Sequence, residues 1–442
     1  MCNILKIKVL RRFYIIRLAL SFVIDYWKIS LIHKRLQGEK RDIAVNRIHK
    51  KAGIRYRITA SRLKGIIVKI GQFLSMRQDI LPQAFTKELQ DLQDALPPSP
   101  SESIQRLLEK ENVQSIFKEF DTTAIAAASL AQVHKAVLND GTVVAVKIIR
   151  PGMAKLARID LSTIGLAVKV VQKIPALNRK MNFIEMHREF TETIERELDC
   201  DQEINHMLRF EDMFSNNNRI KIPKVFKDLS TPTILVMEFM EGARITNHNM
   251  NIDTVMMGET ILDAYFKQLL VFGFIHVDPH PGNLLLLPDH RLCFLDFGMI
   301  DELTVEEIQT LRSLFRCIMF RDLEGVLTAF EELGFLPKDA DRKELLPMLS
   351  QLLDRLDGAI EHQSKQEFKH VISGLKYFIN KSPIQLQAKY MFLLRGAGML
   401  ITVLNELAPR TNWFEILFRI GPATFSSPIQ TSNSIQANGD YK

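Results

Sequence analysis

Cysteine is scarce: the chain has four in 442 residues, Cys2, Cys200, Cys293 and Cys317, with no CxxC pair and no histidines at zinc-ligand spacing. That excludes a disulfide framework and a zinc site, and it fits a reducing compartment. An uninterrupted apolar run is also missing. The most apolar stretch, Arg11 to Arg35, is broken by Arg17, Asp25 and Lys28, and central charges cost about 2.5–3.5 kcal/mol each on insertion, so a spanning helix is not expected. No small-residue cleavage site follows it, which excludes a secretory signal. There is no internal repeat and no low-complexity run.

What is present suits a globular chain: 46% hydrophobic and 25% charged residues can build two or three packed units. Charge is unevenly placed. Residues 1–57 hold fifteen Lys or Arg against Asp25, Glu39 and Asp42, a net +12, which leaves −5 for the rest of a chain whose total is +7. A basic head on an acidic body predicts that the head meets an anionic surface. Within it, the aromatic and aliphatic residues between Arg11 and Arg35 suit a helix lying in a membrane interface, with basic side chains among phosphates. An ordinary helix packed on the domain has the same pattern. Nucleic acid is a poor partner, because the positive charge sits beside an apolar helix. The expected place is a membrane periphery, on the cytoplasmic face or on the matrix or stroma face of an organelle.

A helical segment is predicted over 58–96, closed by PPSPSES, where Ser101 or Ser103 can cap a new helix running towards Phe117. SLAQVHKAVL and TVVAVKII, separated by Asn139-Asp140-Gly141, predict an antiparallel hairpin. One long acidic helix is predicted from Phe183 to about Asn216, then the strand TILVMEFMEG, and LLLLPDHRLCFL predicts a hairpin folded at Pro288-Asp289. The fold class is therefore α+β, a small sheet-rich lobe and a larger helical lobe, with a ligand expected in a cleft. The domains are expected at 1–57 (basic head), 58–120 (helical extension), 121–241 (sheet-bearing lobe), 242–425 (helical lobe) and 426–442 (unstructured tail).

Three stretches carry chemistry. Val144-Ala145-Val146-Lys147 places Ala145 and Lys147 on one strand face. In LDFG, Leu295 to Gly298, Asp296 offers carboxylate oxygen to a divalent cation and the glycine permits a sharp turn. In GFIHVDPHPGN, Asp278 precedes Asn283 by five positions, the H-R-D-x-x-x-x-N spacing of kinase catalytic loops, with His276 and His280 read as loop-ordering residues. Phosphoryl transfer needs a lysine on nucleotide phosphates, a carboxylate near the attacking group and oxygen ligands for magnesium. All three occur in the required chain order. ERELDCDQEIN supplies Glu197, Asp199 and Glu203 as candidate partners for lysine, the last two one helical turn apart. No G-x-G-x-x-G precedes Lys147; AIAAASLAQVH stands there, and the Cβ atoms of Ala126, Ala127, Ala128 and Ser129 restrict the approach of backbone amides to phosphate. No APE-like tripeptide follows the DFG, so an ordinary protein kinase is disfavoured.

Together these pieces resemble the UbiB/ADCK (aarF-domain) family of atypical kinases over about Ile58 to Pro409. The resemblance rests on VKIGQFLSMRQDILP with KxGQ at Lys69 to Gln72, on AAAS, on ELD at Glu197 to Asp199, and on HVDPHPGN followed by DFG. It implies a protein-kinase-like two-lobe fold with an N-terminal helical extension. Lys69 and Gln72 would meet Glu197 and Asp199 as regulatory residues, and Lys147 would pair with Glu203. Asn283 and Asp296 would hold Mg2+, and Asp278 would occupy the catalytic-base position. Ala126 to Ser129 and the backbone from Glu238 to Met240 would bind ATP or ADP. The family implies a membrane-associated ATPase supporting ubiquinone or other isoprenoid-lipid biosynthesis, with an isoprenoid lipid, a quinone precursor or a quinone-biosynthesis complex as partner. Two alternatives stand beside it. One is a small-molecule phosphotransferase, since D-x-H-x-G-N loops also resemble those of aminoglycoside and choline kinases; the other is a nucleotide-binding scaffold without turnover. The chain departs from the family at Ala124, where proline is frequent, and it lacks the apolar C-terminal segments of some bacterial members.

Overall fold

The computed structural model describes residues 2–76, 81–90, 92, 98–172, 183–245, 253–362, 373–375, 378, 382–384 and 388–430. In chain order the elements are α1 (Cys2–Arg35), α2 (Gly38–Leu63), α3 (Ile66–Met76), α4 (Gln83–Thr86), α5 (Ser101–Lys110), β1 (Phe117–Ala127), β2 (Ala131–Leu138) and β3 (Val143–Ile149). Then come α6 (Met153–Gln172), α7 (Phe183–Glu197), α8 (Cys200–Met213), β4 (Ile220–Lys221), β5 (Ile234–Glu238) and β6 (Ala243–Arg244). They are followed by α9 (Thr254–Lys267), β7 (Phe274–His276), β8 (Leu284–Leu286), β9 (Leu292–Phe294), β10 (Ile300–Glu302), α10 (Val305–Met319), α11 (Leu323–Glu332), α12 (Arg342–His362), α13 (Ala388–Leu407) and α14 (Trp413–Ser426). The chain forms two compact units, Met1–Met207 with Pro223–Phe239 and Leu208–Ile222 with Met240–Lys442. The basic head and the helical extension thus belong to the same unit as the first sheet.

That sheet has the order β1-β2-β3-β5, antiparallel throughout. The predicted hairpin is β2–β3, turned at Gly141 with φ +89° and an Asp140 carboxylate that accepts from Thr142 N at 2.9 Å. Alternation buries Val144, Val146 and Ile148 against Ile104 and Leu108 of α5, and leaves Ala145 and Lys147 on the other face. The helix expected to run towards Phe117 is cut short, a turn and a 3-10 turn at Gln114–Ile116 follow it, and strand β1 begins at Phe117. Helix α5 stops at Lys110, with Pro100 rather than a serine side chain at its cap. FKEFDTTAIAA then runs as a half-exposed edge strand held by Phe117 and Phe120 on the same core. Its alanines gave no β signal. The helical stretch expected over 58–96 breaks at Lys64 and Gly65, both with positive φ, which separates α2 from α3.

Helix α1 has two apolar faces. Its inner face packs on α2 and α6, where Arg11 donates to both Asp160 carboxylate oxygens and, at 2.7 Å, to Leu63 O. Asp25, which argued against spanning, is buried beside Arg55. Three charges counted with the basic head, Arg11, Asp25 and Arg55, are therefore paired within the fold. The outer face exposes Phe13, Ile16, Leu20, Ile24, Trp27 and Leu31, spaced three and four apart, with Arg12, Arg17 and Lys28 also exposed.

The predicted helix 183–216 is two helices, α7 and α8. The break falls at Leu198-Asp199, and Asp199 Oδ1 accepts from Asp201 N at 3.0 Å, satisfying an amide at the start of α8 that has no helical partner.

The second unit holds a four-stranded sheet, β4-β9-β8-β6, and the pair β10-β7. The second predicted hairpin is β8–β9, antiparallel through Leu284↔Phe294. Helix α9 ends in a π-helical turn, Gln268–Phe272, closed by Gly273 at φ +59°, where an added Cβ would lie 2.6 Å from Ile308 Cδ1. The extra residue of a π turn swings Gln268 so that its side-chain oxygen accepts from His276 N at 2.9 Å. Part of the predicted tail is held: Arg312 donates to Phe425 O and Ser427 O, and Gln430 N to Val271 O. Residues 431–442 lie outside the described residues.

Candidate functional site

In the first unit, Lys147 Nζ lies 2.6 Å from Glu203 Oε1, with side chains 17% and 7% exposed. Strand alternation aims the lysine away from the α5 core, and Glu203 stands in the first turn of α8, where the positive end of the helix dipole favours a carboxylate. The expected pairing of Lys147 with Glu203 is present in the geometry. Cys200, in the same turn, has its thiol pushed up to about 12, by burial first and then by Glu203, and is no nucleophile.

The KxGQ element is built on α3. Lys69 Nζ sits 3.3 Å from Glu197 Oε2. Gly71 explains its own place in the motif: a Cβ there would fall 2.2 Å from Leu92 Cδ1 and 2.7 Å from Tyr56 Cε1, so only glycine lets α3 approach them. The expectation for the other two residues is corrected. Gln72 Nε2 donates to Leu92 O at 3.1 Å, because that close approach brings a backbone carbonyl within its reach. Asp199 is spent on the start of α8. Of the four regulatory candidates, Lys69 and Glu197 meet, while Gln72 and Asp199 serve the backbone.

The alanine-rich stretch is shorter as a loop than expected. Ala126 and Ala127 belong to β1, opposite Val133 and Gln132, and the turn is Ala128 to Leu130. Ala128 N donates to Ala131 O at 2.9 Å, and Arg150 Nε donates to Ala128 O at 2.9 Å. Ser129 Oγ is buried and has no hydrogen-bond partner among the described residues, a cost the fold accepts where a ligand oxygen can supply the missing bond. Farther along, Glu238 N donates to Lys224 O at 2.8 Å and Phe239 N to Val143 O at 3.4 Å. Met240 is the first residue of the second unit after this strand.

In the second unit, the stretch from Gly273 to Asn283 is organised by His276, as expected of an ordering residue. Its Nε2 donates to Asp296 O, and its Nδ1 accepts from Asp278 N at 3.2 Å. One ring thus ties the Asp278 loop to the DFG. Asp278 O accepts from His280 N at 2.7 Å and from Asn283 Nδ2 at 3.1 Å. His280 Nδ1 in turn accepts from Gly282 N at 3.0 Å. Leu295 N donates to Asn283 O at 3.0 Å, which sets Asn283 beside the strand end that carries Asp296. Asp296 Oδ1 accepts from Gly298 N at 2.9 Å, and Phe297 turns inward onto Phe210, ring centroids 5.0 Å apart. Asn283 and Asp296 offer hard oxygen, the donor type magnesium takes one or two of from a protein before phosphates and water complete its octahedron.

Sequence reasoning missed Arg395, in α13. Its Nη2 lies 3.4 Å from Asp278 Oδ1, a buried oxygen that has no aligned hydrogen bond among the described residues. A glycine beside it was the only signal: an added Cβ at Gly396 would sit 3.0 Å from Val277 O, so the helix comes close to the loop there.

Burial holds His276 below its ordinary 6.5, with Asp296 and Asp278 opposing. Both ring nitrogens are used as the neutral form requires. The unfolded chain therefore takes the proton first, so stability present above about pH 6.5 is lost as pH falls below it. Thermal midpoints measured from about pH 7.5 to 5.5 are expected to fall, and less steeply in His276→Asn. Equal slopes would remove the assignment.

An antiparallel sheet with an ion-paired lysine, an Asp-to-Asn loop and a DFG after the next hairpin define the protein-kinase-like class. Residues 91–330 match the ABC1 atypical kinase-like domain, and the chain belongs to this family, also called UbiB/ADCK. It is 33% identical over 373 residues to activity of bc1 complex kinase 3, chloroplastic, of Arabidopsis thaliana, covering 81% of this chain and 51% of that protein. It is 32% identical over 394 residues to kinase 8 of the same name and organism, covering 86% and 50%. The chain thus spans about half the length of these relatives. The solved Rv3197–erythromycin complex from Mycobacterium tuberculosis has the same fold, with TM-score 0.58, 24% identity and coverage of 88% of this chain and 100% of that one.

Proposed function

We propose that this atypical kinase-like protein binds magnesium and ATP or ADP and turns nucleotide over at a membrane surface in support of isoprenoid-lipid or quinone biosynthesis. The observation that carries the reading is the 2.6 Å Lys147–Glu203 pair, which presents an oriented ammonium group as nucleotide phosphates require. Ser129 would donate to a phosphate oxygen; Asn283 and Asp296 would hold the metal, which supplies charge neutralisation; Asp278, oriented by His276 and Asn283, would face the attacking group. The Lys69–Glu197 contact at 3.3 Å counts against the small-molecule phosphotransferase, which needs an open site without this helix. The outer face of α1, apolar with exposed basic residues, supports attachment to anionic lipid. Among the described residues no helix is long and apolar enough to cross a membrane.

The test is calorimetry with Mg-ATP and Mg-ADP, and phosphate release with and without anionic vesicles, on the wild type and Asp296→Asn. Binding and release are expected, with release reduced at least about a hundredfold in the variant. Binding without release under every lipid condition would assign the scaffold instead, and no binding would remove the reading.

A further inference from the structure

The first unit holds a half-open pocket of about 240 Å3 walled by α1, α2, α3, α6 and α7. Phe22, Ile67, Phe73, Ala167, Val171 and Phe190 give it a hydrocarbon lining. Three wall residues carry polar side-chain atoms, and each is turned to the backbone. Tyr56 Oη donates to Ile67 O at 2.8 Å, Thr59 Oγ1 to Arg55 O at 2.8 Å, and His187 Nε2 to Leu161 O at 3.0 Å. Among the described residues the pocket thus offers no free polar partner, and such a space takes apolar guests; about 150 Å3 of this kind holds benzene, so the present volume takes about ten carbons.

A polar headgroup finds no partner among the described lining residues and would remain at the mouth, which limits the guest to the end of a chain. The walls also carry the outward apolar surface of this unit. Besides the outer face of α1, α6 exposes Leu166 (65%) and Val170 (63%). Arg12, Arg17 and Lys28 are exposed alongside on α1, the complement of an anionic lipid surface. We propose that this cavity receives the last ten or so carbons of one chain of a membrane-borne lipid. The proposal deepens the lipid side of the function above, and its test needs no nucleotide.

The full chain is titrated with straight-chain alcohols of roughly six to fourteen carbons and with geraniol, followed by calorimetry. Affinity should rise about fourfold per methylene and level off near ten carbons. Ala19→Phe and Ala167→Phe fill the cavity from different helices, and each should weaken 1-decanol by about tenfold or more while keeping a wild-type melting midpoint. If one variant misfolds, the other and the chain-length break decide. Geraniol binding tighter than 1-decanol assigns a prenyl chain, and the reverse an acyl chain. Affinity that climbs without levelling, absent saturation, or wild-type affinity in the folded variants overturns the proposal. Mg-ATP binding on the same samples separates the two readings: alcohol binding without nucleotide binding sinks only the proposed function.

Discussion

Replacing Arg11 by alanine is expected to destabilise the first unit by about 3–5 kcal/mol, because it strands a carboxylate in the interior. Asp160 is fully buried, and Arg11 is the partner that donates to both of its oxygens. Burial pushes the Asp160 carboxyl above its ordinary value even though the guanidinium pulls it down, so desolvation outweighs pairing at this site. The pair is therefore a poor source of net stability and a severe loss when halved. It follows that Arg11→Met with Asp160→Leu, which removes both charges and keeps the bulk, should recover most of the deficit. Urea unfolding of the full chain, with hydrogen exchange followed in α6, reads both variants. A single-variant cost under about 1 kcal/mol, or a double variant no better than the single, would show that the pair is solvated and that α1 is held by its apolar face instead.

Lys147→Ala is expected to weaken Mg-ATP by about 10- to 150-fold, the equivalent of about 1.5–3 kcal/mol for hydrogen bonds to a charged group. It should also lower the melting midpoint, since Glu203, 7% exposed, loses its 2.6 Å partner. These two effects separate in Lys147→Met/Glu203→Leu, where stability should return and nucleotide affinity should not. Recovery of both would mean that the lysine serves the fold alone. Calorimetry and thermal melts on the three proteins decide.

Much of the site was legible because its residues are bound to local patterns. The alternation of Val144, Val146 and Ile148 fixes the face of Lys147, and the spacing from Asp278 to Asn283 survives folding because both lie in one short loop. Glu203 was legible from chain order, on an acidic helical stretch between the strand of Lys147 and the strand TILVMEFMEG, although that stretch is broken in two. That break itself was not read: Asp199 looks like one more acid on an amphipathic helix until its oxygen is seen on the Asp201 amide. Gln72 was misplaced for a long-range reason, since the carbonyl it meets is twenty positions away and is brought near by the missing side chain of Gly71. Arg395 lies farther still from Asp278 in sequence, and no periodicity connects a helix to a loop across such a separation. Strand β1 failed on propensity, because alanine and charged residues do not announce an edge strand whose one packed face rests on two phenylalanines.

The outward ridge of α1 also governs how the purified molecule handles. With Phe13, Leu20 and Trp27 each more than half exposed along one line, a detergent-free sample is expected to adsorb to tube walls and air bubbles, with light scattering that grows with concentration. Mild amphiphiles added during concentration should keep it monodisperse.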